Sequence, residues 1–319
     1  EPCEIERRIL GDIAEVVALD VPNETELPGQ IEDATAIMMY HCVEMSKPLI
    51  NSLRNCKLII RCGVGYDNID IDAAFARGIP VANVPDYGTE EVADSAIGMA
   101  LALARGIHLH NIRLQREERN WTHHAAVPLA RLRDRTFGIV GLGRIGGAVA
   151  LRAKSLGMDV AFFDPYIADG IDKSLGIRRM ESLDELLCIS HILSLHTPGS
   201  TETQNLLNAD AISLLPKGAF LINTARGTIT DPNAIIDALA CGHLAGAAID
   251  VLPKEPPPPD SAFLKAWRDP SHPAFSRLIL NPHGAFYSEE GMDDMRIKGS
   301  ENCRRAILGE AIRNVVNGL

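Results

Sequence analysis

Along the chain, short apolar runs alternate with segments whose apolar side chains recur every three or four residues. Fully buried parallel strands give runs of the first kind and amphipathic helices give the second. From residue 137 the alternation is regular. Phe137–Val140 is a buried-strand run, and the residues after it set Ile145, Val149, Ala153 and Leu156 on one helical stripe that Gly157 ends. Met158–Phe163, His191–His196, Ala219–Thr224, Ala245–Val251 and Arg277–Leu280 are strand-like again. Helix signals lie between them. Ser182 and Glu185 stand at capping-box spacing, Ala209–Leu215 stops at Pro216 and Gly218, and Asp231-Pro232 opens a helix running to Gly242. Five or six strands alternating with helices predict a doubly wound parallel sheet.

The first hundred residues carry a smaller version of the same pattern. Thr35–Tyr40, Lys57–Arg61 and Pro80–Val84 are strand-like, while Lys47–Asn55 and Asp70–Arg77 are helix-like. A helical pattern from Glu90 to about Glu118, roughly 40 Å long at 1.5 Å per residue, is expected to cross from one domain to the other. The polar segment Asn120–Arg135 follows as a loop containing Trp121, His123, His124 and Pro128; adjacent histidines cannot share a helical face, which favours solvation over metal binding. Pro256 to Pro259 interrupt the rhythm, so Glu255–Arg277 is expected to leave the sheet as an extended loop, with Phe263 and Trp267 as either a rim over the cleft or satellite packing. Ser288–Leu319 looks helical and returns to the first domain. The predicted fold is α/β: a doubly wound parallel (Rossmann) sheet domain over residues 103–286 and a smaller flavodoxin-like α/β domain over 1–102 and 287–319.

Candidate chemistry begins at the first strand of the larger domain. Gly141, Gly143 and Gly146 stand at the spacing G-x-G-x-x-G between a strand and a helix, where backbone N–H groups can receive a pyrophosphate. The next strand ends in Asp164, 18 residues beyond Gly146, where an acid meets a ribose hydroxyl and repels a 2′-phosphate. NAD is therefore expected in preference to NADP. A second glycine turn, Cys62-Gly63-Val64-Gly65-Tyr66, sits at a strand's C-terminal end, where its N–H groups can receive a carboxylate or simply turn the chain.

Arg226, Glu255 and His283 fall at or just past strand ends on the same side. Hydride exchange with a 2-keto acid needs a cation for the carboxylate, a proton donor for the incipient alkoxide, and a group that orients that donor. A guanidinium, an imidazole and a facing carboxylate supply those needs. Each alone also has a structural reading, as a helix-closing arginine, a core histidine or a loop acid. Together they are expected to share one edge of the sheet.

Composition narrows the picture further. A net charge of −11 and an isoelectric point near 5.4 argue against direct nucleic-acid or anionic-membrane binding. No apolar run approaches the roughly 18 residues of a spanning helix, and no signal-peptide core is seen. Seven scattered cysteines without C-x-x-C pairs read as reduced thiols in a cytoplasmic setting, with no zinc or other metal site. The chain opens on Glu1, so a trimmed or processed N-terminus is expected.

Nearly the whole chain resembles the D-isomer-specific 2-hydroxyacid dehydrogenases, and within them the C-terminal binding protein branch. The resemblance runs through RCGVGYDNIDI (Arg61–Ile71), VANVP (Val81–Pro85), EEVADS (Glu90–Ser95), GIVGLGRIG (Gly138–Gly146), FFDPY (Phe162–Tyr166), GAFLINTARG (Gly218–Gly227), GAAIDV (Gly246–Val251) and NPHGAFYSE. It implies that Arg226 binds substrate, that Glu255 tunes the acid/base His283, and that Asp164 selects NAD. It also implies cofactor contacts from Gly141, Gly143, Arg144, Ile145, Gly146, Thr197, Thr203, Thr224, Ala225, Asp250 and His283. Substrate contacts would come from Tyr40, Arg61, Gly63, Val64 and Phe286, with a small 2-keto or 2-hydroxy acid as substrate and a homodimer built through the cofactor domains. Phe286 and Val92 stand where that branch has Trp and Thr, the proline loop is longer than usual, and the family's first substrate-domain strand would lie upstream of Glu1. An NAD(H)-gated interaction scaffold of the C-terminal binding protein type is the alternative function.

Overall fold

The computed structural model describes residues 3–116, 121–126 and 129–319. Glu117, Glu118, Asn120 and Pro128, read above as helix end and loop, lie outside the described residues. The chain divides into two compact units, Glu1–Gly88 with Tyr287–Leu319, and Thr89–Phe286.

The smaller unit opens with helix α1 (Glu4–Leu10), which the hydrophobic pattern did not reveal. Strands β1 (Ala36–Met39), β2 (Leu58–Arg61) and β3 (Val81–Asn83) form a parallel sheet in that order, with α2 (Lys47–Ser52) and α3 (Ile71–Ala76) between them. All four residues of β2 are buried, as a central strand covered on both faces requires. Asp70 caps α3 by accepting from Ala73 N at 2.9 Å.

The larger unit begins with α4 (Thr89–Ala104) and α5 (Ile107–Gln115). They were expected as one helix. Gly106 separates them in the left-handed region at φ 63°, and the axes bend by 65°. Ala93, Ala96, Met99 and Leu103 of α4 pack with the core of this unit, so the boundary falls at residue 88 instead of 102. The chain continues through β4 (Thr136–Val140), α6 (Arg144–Ser155), β5 (Asp159–Phe163), α7 (Ile171–Leu175) and the two-residue β6 (Arg178–Arg179). It then passes through α8 (Leu183–Ile189), β7 (Ile192–Leu195), α9 (Ala209–Ser213), β8 (Ala219–Asn223), α10 (Pro232–Ala240) and β9 (Leu244–Ile249). Last come α11 (Ala262–Arg268) and β10 (Leu278–Leu280). These strands pair in parallel in the order β10-β9-β8-β7-β4-β5-β6, seven where five or six were expected. The extra one, β6, is too short to show a periodicity.

Alternation along the strands divides the core into two layers. Leu193, Leu195, Leu221 and Ile249 face Leu187, Ile235 and Leu239 of α8 and α10, while Ile192, Ile222 and Ala248 share a cluster with Val149 and Ala153 of α6. Phe263 joins the first layer from α11, a helix inside the segment expected to be extended; Ser261 caps it by accepting from Leu264 N. The four prolines stop before the helix begins, so they do not oppose it.

The chain returns to the smaller unit as α12 (Glu289–Leu308), closed by Gly309 at φ 73°. Beyond it, Val316 N donates to the carbonyl of Val81, and Asn317 bonds to Val81 N and Ile79 O, so the tail lines the outer edge of β3 where helix was expected. Among the described residues no single helix is long and apolar enough to cross a membrane.

Glu6 of α1, buried, forms two hydrogen bonds of 2.7 and 2.8 Å with Arg296 of α12. Burial pushes this carboxyl up, but the Arg296 hydrogen bonds and charge outweigh it and leave it below its usual 4.5. The contribution is therefore complete above the unfolded value and disappears as pH falls through the lower folded one. Glu6→Gln is expected to cost about 1–3 kcal/mol in urea unfolding at pH 7, below the full figure for a buried pair because Arg296 is partly exposed. The difference from the unsubstituted protein should close on acidification; equal midpoints at pH 7 would show the pair to be idle.

Candidate active site

Each of the three glycines after β4 meets a different constraint. Gly141 adopts φ +89°, and a Cβ there would stand 2.8 Å from the carbonyl of His196. A Cβ on Gly146 would come within 2.1 Å of the Gly141 carbonyl oxygen, which is how α6 approaches the strand so closely. Nothing lies within 4 Å of the corresponding point at Gly143, leaving the backbone open at the start of α6, where Arg144 and Ile145 form the first turn. Asp164, just past β5, accepts from Leu142 N at 2.8 Å and from Tyr166 N at 2.9 Å, which ties it to the glycine loop.

At the ends of β7 and β8, buried polar atoms stand without partners. The Oγ1 atoms of Thr197 and Thr224 and Nδ1 of His196 have no hydrogen bond among the described residues. A buried orphan of this kind costs about 1–3 kcal/mol, which a polar ligand would recover. Open backbone at Gly143, and orphaned hydroxyls at the ends of β7 and β8, with Thr197 bordering Gly141, fit a dinucleotide. His196 escaped the sequence reading, although HILSLH places Ser194 and His196 on one strand face. Its Nε2 lies 2.8 Å from Ser194 Oγ, and burial pushes its imidazole down to about 3, so it is neutral at physiological pH. Thr203 turns inward: its hydroxyl donates to Pro198 O and accepts from Ser200 N, closing the 198–203 loop.

Arg226, Glu255 and His283 come from the ends of β8, β9 and β10, three adjacent strands. The fully buried Asn223 accepts from Ala225 N and donates to Arg226 O, each at 3.0 Å, which shapes the arginine's turn. The Arg226 Nη1 also donates to the carbonyl of Ala225. Gly227 lies so close to the next loop that a Cβ would stand 1.9 Å from Leu252 C. That loop carries Glu255, whose Oε1 accepts from Leu252 N at 2.7 Å and whose Oε2 lies 2.6 Å from His283 Nδ1. Burial pushes the Glu255 carboxyl up; the His283 hydrogen bond, the Leu252 N–H and the charges of His283 and Arg226 outweigh it and hold it below its ordinary range.

His283 is held at φ 51°, and its N–H donates to the carbonyl of Asp250 at 2.8 Å. The Asp250 carboxylate, 2% exposed, accepts from Gly284 N at 2.9 Å and Ala285 N at 3.1 Å. Burial pushes Asp250 up against those two donors, and the net shift is upward. The ring of Phe286 stands edge-on to His283, with centroids 6.1 Å apart.

The remaining expected residues belong to the smaller unit. Tyr40 follows β1, its carbonyl accepting from Asn68 Nδ2 at 3.0 Å, and burial pushes its hydroxyl well above the usual range. Arg61 ends β2 and donates from Nη1 to Cys62 O at 2.6 Å. Its guanidinium lies over Gly63, where φ is +144° and a Cβ would meet Nη1 at 1.6 Å. Val64 is exposed on the same turn, and its carbonyl accepts from Asn83 Nδ2.

A parallel sheet with a glycine-loop crossover and three polar side chains at adjacent strand ends defines a dinucleotide-dependent oxidoreductase fold. Residues 97–285 match the D-isomer specific 2-hydroxyacid dehydrogenase, NAD binding domain, and the chain belongs to that family. It is 32% identical over 324 residues to C-terminal-binding protein 1 of Caenorhabditis elegans, covering 99% of this chain and 43% of that protein. It is equally 32% identical to D-3-phosphoglycerate dehydrogenase of Methanocaldococcus jannaschii, over 97% of this chain and 57% of that one. The chain thus spans about half the length of these curated relatives. The crystal structure of D-lactate dehydrogenase from Aquifex aeolicus, complexed with NAD and lactic acid, is similar at a TM-score of 0.85 and 27% identity, covering 98% of this chain and 95% of that one.

The Glu255–His283 hydrogen bond leads the influences that lower the glutamate. Carboxyl 13C NMR should place the Glu255 midpoint below 4.5, and His283→Ala should raise it. An unmoved midpoint would mean that the pair does not exist in solution.

Proposed function

We propose that this chain interconverts a small 2-keto acid and its D-2-hydroxy acid with NAD as the hydride carrier. The observation that carries the proposal is the Glu255–His283 hydrogen bond formed within Coulomb range of Arg226. When bound, the nicotinamide supplies or accepts the hydride. Arg226 offers a planar fork of fixed charge to the substrate carboxylate and polarises the adjoining carbonyl. Glu255 holds Nδ1 of His283, which sets the ring's orientation and leaves proton transfer to Nε2. His283 thus delivers a proton to the incipient alkoxide during reduction and removes it in the reverse direction. Asp250 fixes the turn that carries the histidine. Asp164 favours NAD by facing a ribose diol, and Thr197 and Thr224 supply hydroxyls to the cofactor. Phe286, edge-on to His283, offers the substrate an apolar surface; Tyr40, Arg61, Gly63 and Val64 of the smaller unit are proposed as substrate contacts on the family resemblance alone.

Similarity to C-terminal-binding protein 1 favours a second reading, an NAD(H)-gated interaction scaffold. Turnover separates the two. Arg226→Ala and His283→Ala should each lower kcat/KM for a 2-keto acid at least 100-fold, since a placed general acid is worth about 10²–10⁴, while the Kd for NADH changes by less than about threefold. NADH binding without turnover across a panel of 2-keto acids would sink the enzyme reading. A partner captured only in the presence of NADH would then favour the scaffold.

The larger unit also presents Ile107 and Leu114 of α5 outward, and Trp121 is 89% exposed. We propose that these exposed apolar side chains belong to the surface by which a second copy docks, in keeping with the expected homodimer. Light scattering should give a dimer for the unsubstituted chain and a shift toward monomer for Trp121→Glu; an unchanged mass in the variant would place the interface elsewhere.

A further inference from the structure

Tyr166 lies two residues beyond Asp164 and is 77% exposed, unusual for a large ring. Its hydroxyl donates to Oε2 of Glu202, in the loop after β7. In the sheet β7 and β5 lie on either side of β4. The tyrosine–glutamate pair therefore bridges strand ends about 10 Å apart, over the end of β4 where the glycine loop begins. This is also where the strand order reverses, the crevice in which open α/β sheets bind ligands. Neither end of the bridge is loose. The Tyr166 N–H is held by Asp164, and the 198–204 loop is closed by Thr203 and by Gln204 N donating to Ser200 O at 2.9 Å. The Glu202 hydrogen bond foremost, then desolvation and the Glu202 charge, and last the Asp164 charge, push the tyrosine hydroxyl above its ordinary range. Arg179, on the neighbouring β6, is committed to Asp169 and to the carbonyl of Ile167.

We propose that Tyr166 and Glu202 form a strap across the adenosine end of the dinucleotide site, and that Glu202 is a second carboxylate, beside Asp164, discriminating against a 2′-phosphorylated cofactor. The inference rests on the larger unit binding NAD in that crevice. Asp164 already accepts two backbone N–H groups, so its capacity to repel is shared with its role in the glycine loop. Glu202 adds a negative charge from the opposite side. A 2′-phosphate entering between the two would meet like charge on both flanks, whereas a 2′-hydroxyl would not. The strap must part or rest on the nucleotide for it to enter or leave, so it also governs residence time.

Equilibrium binding of NADH and of NADPH to the full chain, followed by nucleotide fluorescence at fixed ionic strength, tests this without any turnover. Glu202→Gln should tighten NADPH about three- to tenfold, the effect of removing one charge at close range near a surface, and leave NADH within about twofold. The gain should shrink in high salt, which screens exposed charges. Tyr166→Phe, which removes only the hydroxyl, should speed NADH release at least about threefold in stopped flow. An unchanged NADPH-to-NADH ratio in Glu202→Gln would overturn the discriminating role, and an unchanged release rate in Tyr166→Phe would overturn the strap. If the unsubstituted chain bound neither nucleotide, the dinucleotide reading itself would fail, a different result from either.

Discussion

Everything at the candidate active site depends on what one buried carboxylate does to a turn. Asp250 takes the N–H of His283 on its carbonyl and those of Gly284 and Ala285 on its side chain. A non-glycine residue in the left-handed region carries about 1–3 kcal/mol of strain, and the turn persists because these bonds over-determine it. Without that clamp the imidazole would have no fixed direction, and Glu255, placed by its own bond to Leu252 N, would have nothing to meet. The Glu255–His283 hydrogen bond is therefore a product of backbone geometry at the ends of β9 and β10. This also explains why Gly227 must be glycine: the strand carrying Arg226 has to approach the loop bearing Glu255 more closely than any side chain would permit.

The same economy of space governs the other end of the site. The three glycines differ in what forces them, one by its dihedral angle, one by open backbone, one by contact between helix and strand. Around them the protein leaves hydroxyls of Thr197 and Thr224 unsatisfied in its interior. Buried polar groups usually find partners, so unsatisfied ones gathered at strand ends are the mark of a surface shaped for something else to complete.

Much of this was legible from sequence because a parallel sheet writes itself plainly: strands buried on both faces give uninterrupted apolar runs, and the residues that end them are the ones facing a ligand. Thr136–Val140, Ile192–Leu195 and Ala219–Asn223 fall within a residue of the runs that predicted them. Arg226, Glu255 and His283 were singled out as candidates by that position, and they do fall past the ends of three adjacent strands. Other features left no such trace. The break at Gly106 was hidden because Arg105 and Gly106 sit inside an apolar stripe that continues on both sides, and one glycine in a helix is tolerated. Helix α11 was hidden behind four prolines that precede it. His196 looked like a strand end, since only the packing around it makes Nδ1 an orphan. The division at residue 88 turned on which core the small residues of α4 join, a tertiary choice.

The smaller unit is assembled from two stretches that synthesis delivers far apart in time. Leu10, Leu58 and Ile60 share a cluster with Cys303 and Ala306, Arg304 of α12 pairs with Asp12 near the start, and the segment after α12 borders β3. The larger unit is contiguous and holds its own core. On a ribosome it can therefore close while residues 1–88 still lack the helix that covers their sheet, and those residues must wait, partly exposed, for residues 289–319 to emerge.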